Sequence, residues 1–168
     1  MSGITLNELG SLGEFVSAIA VIASLIYVGR QVRQHTNATR IATTQAHLDI
    51  WNDIVSNFCQ SSEMASIWYR GLQDISSLKE GESVQFFAQL GLITRYYESS
   101  YLEWSEAALD NQLWEGIKQT LVDQMSYPGA RQWWGKRRHW FYVDFRNMVD
   151  DVVASGGGQP MYGEEQAS

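Results

Sequence analysis

The chain has 168 residues, 45% of them apolar and 18% charged, enough for one well-buried domain with an appendage and too few for two. Twelve Lys and Arg against 19 Asp and Glu leave a net charge of -7, which argues against a nucleic-acid binder driven by overall positive charge. The single cysteine, Cys59, excludes an intrachain disulfide framework and fits a reducing compartment.

Prolines occur only at Pro128 and Pro160, and long unbroken stretches are rich in Ala, Leu, Gln, Glu and Trp. That composition favours helices, and no alternating apolar and polar run bounded by turn residues is long enough for a sheet. The chain therefore reads as all-α. A first segment, 1–11, precedes fifteen uncharged residues from Phe15 to Gly29 that are apolar on every helical face. Such a helix has to be covered, by protein or by lipid. Eight of the fifteen are Phe, Val, Ile or Leu, and their insertion into a bilayer is worth roughly -2 to -5 kcal/mol. The run is about 22 Å long against a hydrocarbon core of roughly 30 Å. Leu12, Val32 and a snorkelling Arg30 extend it, so a single transmembrane helix is predicted over 12–32.

A buried core helix, an interfacial helix and a cleaved signal peptide compete with that span. The interfacial helix lacks a polar face, since only Ser17, Ser24 and Tyr27 offer polar groups. A signal peptide lacks its basic start, because the first fourteen residues contain no Lys or Arg. Glu8 and Glu14 precede the span whereas Arg30, Arg33 and Arg40 follow it, which places the C-terminal part in the cytoplasm. The sequon-like Asn37-Ala38-Thr39 is then an accident. Gly13, Ser17, Ala20 and Ser24 fall along one stripe of the helix. Small residues so spaced allow close contact with a second copy or with a membrane-protein partner.

The stretch Leu12-Gly13-Glu14-Phe15-Val16-Ser17-Ala18-Ile19-Ala20-Val21-Ile22-Ala23-Ser24-Leu25-Ile26-Tyr27-Val28, continuing into Gln31-Val32-Arg33-Gln34-His35-Thr36, resembles the opening of a group of small bacterial proteins. In that group a membrane anchor precedes a helical domain. Pro128 to Trp134 and Phe145 to Asp150 are similar to the group's closing helix. The resemblance implies a bacterial source and a membrane location, and it brings no activity and no functional residue with it; with the charge bias, the expected location is the bacterial inner membrane.

From Arg30 to Phe58 no proline or glycine intervenes, so the helix is expected to leave the membrane and join a helical bundle over 33–154. Ile41, Thr44, Leu48, Trp51, Val55 and Phe58 form a heptad-like seam. A second helix is expected over Ser62–Leu72, capped by Ser62 with Trp68 inward, and Asp74 to Gly81 reads as a loop. Glu82 to about Ala107 carries Phe86, Leu90, Ile93, Tyr97, Tyr101 and Trp104 at helical spacing. Asp110 caps a fourth helix with Leu113, Trp114, Ile117 and Leu121 as its apolar stripe, ending near Met125. Pro128 opens a fifth helix that reaches Ala154. The Gly- and Pro-containing remainder, 155–168, reads as a flexible tail.

Residues 41–130 hold four basic and twelve acidic side chains, whereas 131–146 hold five basic (Arg131, Lys136, Arg137, Arg138, Arg146) and the single acid Asp144. Arg137 and Arg138, with Arg30, Arg33 and Arg40, are candidates for anionic headgroup contact, each adding about 1 kcal/mol near the surface. The bland reading of the same segment is a core face of Trp134, Phe141, Phe145, Met148 and Val152, with arginines pairing to acids of the middle helices. No catalytic, cofactor or metal site is expected. Glu98, Glu103 and Glu106 lack the Glu-x-x-His pattern of metal-binding bundles, and His35, His47, His139 and Cys59 each stand alone in sequence. Nucleophile elbows, phosphate loops and dinucleotide fingerprints are absent. The function expected is therefore a non-enzymatic, membrane-anchored helical module that self-associates or docks a partner. The alternative is a membrane-localised ligand-binding or catalytic domain, with an aromatic pocket between helices three to five.

Overall fold

The computed structural model describes the backbone of residues 6–162, and their side chains other than those at 6–16, 35–38, 40, 57 and 59. It is all-α, with no strand among the described residues. The helices are α1 (Leu6–Cys59), α2 (Ser62–Gln73), α3 (Glu80–Ser105), α4 (Asn111–Gln124), α5 (Pro128–Arg137) and α6 (Val143–Ala154), with 3-10 turns at Ile75–Ser77 and Arg138–Trp140. Residues up to Ala42 and residues from Thr43 onward form two compact units.

In the first unit every described side chain from Ser17 to Gln34 is exposed. The second unit holds the core. There the last turns of α1 face inward through His47, Trp51, Ile54 and Phe58; Trp51 and Phe58 belong to the expected seam, whereas His47 and Ile54 do not. Ile41 and Leu48 of that seam are exposed. The stripe is displaced because a histidine does not read as a core residue, yet His47 is 95% buried, at 5% exposure.

α2 is capped by Ser61, whose hydroxyl accepts from the Met64 N–H at 3.2 Å, one residue before the expected cap. Between α2 and α3, Asp74 accepts from the Ser76 N–H and hydroxyl. Glu82 accepts from the Lys79 N–H and from both terminal nitrogens of Arg70. These bonds turn the expected loop into a 3-10 turn and let α3 begin at Glu80. α2 and α5 meet backbone to backbone at Gly71 and Gly129, with the Phe86 ring under Gly71.

The expected fifth helix is two helices. Its break at Arg138–Phe141 contains neither Gly nor Pro; instead, groups on α3 bind the backbone of the turn. The tail also differs from expectation as far as Tyr162. The Gly158 N–H donates to Val122 O, the Gln159 N–H donates to Asp123, and the Tyr127 hydroxyl exchanges hydrogen bonds with the backbone of Tyr162. Residues 163–168 lie outside the described residues.

Candidate functional site

Three places have chemistry to offer, and the first is the apolar stretch of α1. Ile19, Val21, Ile22, Leu25, Ile26, Val28 and Val32 are all exposed, Leu25 at 66%. Within the first unit no described side chain covers them, so they are not part of a buried core there. Among the described residues no helix is long and apolar enough to cross a membrane. Leu12, Phe15 and Val16, the first apolar side chains of the expected span, lie outside the described side chains. Of the small-residue stripe, Ser17, Ala20 and Ser24 are exposed on α1, and the Ser24 hydroxyl donates to Val21 O at 2.8 Å. Gly13 lies outside the described side chains, as does Arg40; Arg30 and Arg33 are exposed.

The second place is His47, where α1 meets α3. Its Nε2 is 3.0 Å from Glu103 Oε2, and its Nδ1 is 3.4 Å from Ser100 Oγ. A carboxylate only accepts, so Nε2 carries the proton and donates to Glu103. The Ser100 hydroxyl donates to Tyr96 O at 2.8 Å, and the edge of the imidazole meets the Tyr96 ring. Ser, His and Glu in contact invite comparison with a nucleophile triad. The geometry is against it: Ser100 has no exposed surface, its proton is directed into its own helix, and both imidazole nitrogens face protein. The set fastens α1 to α3. Two clefts flank it, one of about 370 Å³ between α1 and α3 lined by Ile50, Ile54 and Leu92, the other of about 210 Å³ between α1 and α4 lined by Trp51, Leu113 and Ile117.

The third place is the basic and aromatic segment after Pro128. Trp133, Trp134, Phe141 and Phe145 are buried, with Met148 and Val152 packed against them. Burial pushes the phenol of the neighbouring core residue Tyr97 far above its ordinary value, so it stays neutral and donates to Gln124. The aromatic side chains of α3 to α6 thus fill a packed core, and the two clefts lie beside α1. Arg138 is an ion-pair partner of Asp150 on α6, rather than of an acid on a middle helix. The Arg137 guanidinium lies over the Trp140 ring at 4.8 Å and the Phe87 ring at 5.7 Å. Both headgroup candidates in this segment are therefore already engaged within the bundle.

The turn itself is held from α3. Glu98, only 7% exposed, accepts from the Tyr142 N–H at 2.6 Å and from Arg95 at 2.5 Å, while Arg95 also donates to Trp140 O at 3.0 Å. Sequence reasoning missed the roles of Glu98 and Glu103 because their partners lie 44 and 56 residues away. No local spacing carries such a signal. Among the described residues no three His, Cys, Asp or Glu side chains converge as a metal site does.

The fold and its surfaces define an all-helical protein with an uncovered apolar helix segment. No family model matches the chain, and no match is found among curated proteins or solved structures.

Proposed function

We propose that this chain is a membrane-anchored, non-enzymatic helical module. Its α1 segment 12–32 lies in a bacterial inner membrane as a single pass, and its bundle stands on the cytoplasmic side, associating with a second copy or a membrane-protein partner. The observation that carries the reading is the exposure of large apolar side chains on every face of α1 from Ile19 to Val32. Covering them is worth on the order of 10 kcal/mol. A helix apolar all round with no protein over it matches lipid as its solvent. Arg30 and Arg33 at its end supply the cytoplasmic bias, and the stripe of Ser17, Ala20 and Ser24 offers a close-contact face within the bilayer.

The test is fractionation of cells producing the full chain, with a carbonate wash, followed by sizing of the detergent-extracted protein. Retention in the washed membranes as a species larger than the monomer is expected. Release by carbonate contradicts the anchor, and a monomer in mild detergent contradicts self-association. The clefts beside His47 favour a second reading, a membrane-localised ligand-binding domain. Its test is a thermal-stability screen of the extracted protein against small amphiphiles, in which a saturable shift abolished by Ile54→Trp supports ligand binding.

A further inference from the structure

We infer that the turn between α5 and α6 is a second membrane contact, an aromatic wedge that seats in the interface of an anionic bilayer; this rests on the anchored reading above. Trp140, Tyr142 and Val143 are exposed, at 48%, 52% and 46%. They are three large side chains within four positions, on a turn whose backbone is fixed from behind. The carbonyl of Trp140 is taken by Arg95 and the N–H of Tyr142 by the buried carboxylate of Glu98. The bonded backbone groups and the Phe141 ring thus face the bundle, while the rings of Trp140 and Tyr142 are exposed. A turn already rigid loses little further freedom when it docks.

The surroundings select the occupant. Trp and Tyr are at home at headgroup depth, where an apolar ring and a polar edge are both satisfied. Exposed Lys136 and His139 flank the turn, and Arg137 backs the Trp140 ring. Residues 131–146 carry five basic side chains against one acid, while 41–130 carry twelve acids against four basic ones. An anionic surface is drawn to this short segment, in which Arg138 is already paired with Asp150, and is repelled by 41–130 and by the acids that follow Arg146. A protein partner also favours Tyr, Trp and Arg, but the concentration of unlike charge at this one segment is what phosphate-bearing lipid complements.

Every tryptophan lies between Trp51 and Trp140, and Trp140 alone among them is exposed. The full chain is reconstituted into phosphatidylcholine vesicles with and without one-quarter phosphatidylglycerol, using acyl chains brominated near the headgroup. The emission of Trp140 is obtained as the difference between wild type and Trp140→Phe, which keeps a ring beside Trp133. The wedge predicts at least twofold quenching of that difference in the anionic vesicles, relieved by Lys136→Gln together with His139→Gln. An unquenched Trp140 in protein that still floats with the vesicles overturns the wedge and leaves the anchor standing. Protein that does not float overturns both. Equal quenching without phosphatidylglycerol overturns the anionic preference. A Trp140 shielded from bromine and from aqueous iodide alike marks a protein-covered face, and overturns the lipid assignment.

Discussion

Replacing Gly129 with alanine probes the closest approach in the bundle, where α5 lies on α2. A Cβ at this position sits 2.8 Å from Leu72 O and nearer still to Gly71 O, a separation that Cβ atoms do not reach. Both obstacles are backbone, so no rotamer change relieves the clash. α5 has to move away from α2, disturbing Ala130, Trp133 and Trp134, all buried. Overpacking of this kind costs about 1–3 kcal/mol, and a backbone obstacle puts it at the upper end. Alanine returns roughly 0.5–1 kcal/mol by restricting the unfolded chain, for a net loss of about 2 kcal/mol. At Gly116, within α4, a Cβ meets nothing within 4 Å, so the gain stands alone and the sign reverses. For a chain of this size the melting temperature falls about 4–8 °C for Gly129→Ala and rises about 1–4 °C for Gly116→Ala. Urea unfolding of the detergent-solubilised chain, followed by tryptophan emission, reads the bundle selectively. Wild-type stability for Gly129→Ala would refute the backbone contact.

The remaining bundle contacts make separable predictions. Glu98→Ala leaves the Tyr142 N–H and Arg95 without their acceptor and costs about 2–3 kcal/mol; Arg95→Ala, whose guanidinium is half exposed, costs less than about 1 kcal/mol. Equal losses in urea unfolding contradict a turn held by Glu98. His47→Ala removes a buried ring and costs about 2–4 kcal/mol, whereas Glu103→Gln, whose amide oxygen still accepts from Nε2, costs less than about 1 kcal/mol. Tyr127→Phe deletes both bonds to Tyr162 and speeds amide exchange at Gly158 and Tyr162 roughly tenfold; unchanged protection there contradicts the strap. Hydrogen bonds from Arg70 and from the Lys79 N–H hold the Glu82 carboxyl below its ordinary range, and those from the Ser76 hydroxyl and N–H do the same for Asp74. The folded state thus binds fewer protons, and this stabilisation is full above the ordinary carboxylate range and lost as pH falls through the depressed values. The urea midpoint of Glu82→Gln therefore differs from wild type more at pH 7 than at pH 3; an equal difference at both contradicts the linkage.

Helices whose core stripe is apolar and whose ends carry standard chemistry were legible in the sequence. Phe86, Leu90 and Tyr97 mark α3, Asp110 caps α4, and Pro128 opens α5. The apolar stretch of α1 was legible as a helix, since its pattern has no polar face. What the sequence hid depends on partners far away along the chain. Glu98 holds the Tyr142 N–H at the start of α6, and Glu103 accepts from the buried His47, so the break before α6 and part of the α1 core stripe could not be read locally. The anchoring of residues 158–162 was equally hidden, because it is made by backbone groups whose acceptors lie on α4 and by Tyr127. Flexible composition says what a segment can do alone and nothing of what will hold it.

The central claim, that lipid covers α1, is tested most directly by spin labels placed one at a time at Ile19, Ile22, Leu25, Val28 and Arg33. They are introduced as cysteines in a Cys59→Ser background and read in reconstituted vesicles for collision with oxygen and with a water-soluble nickel chelate. The account predicts high oxygen and low nickel accessibility at the four apolar positions, which span half of the helix circumference, with the reverse at Arg33. Nickel accessibility along the whole stretch, or alternation with the helical period, would contradict it.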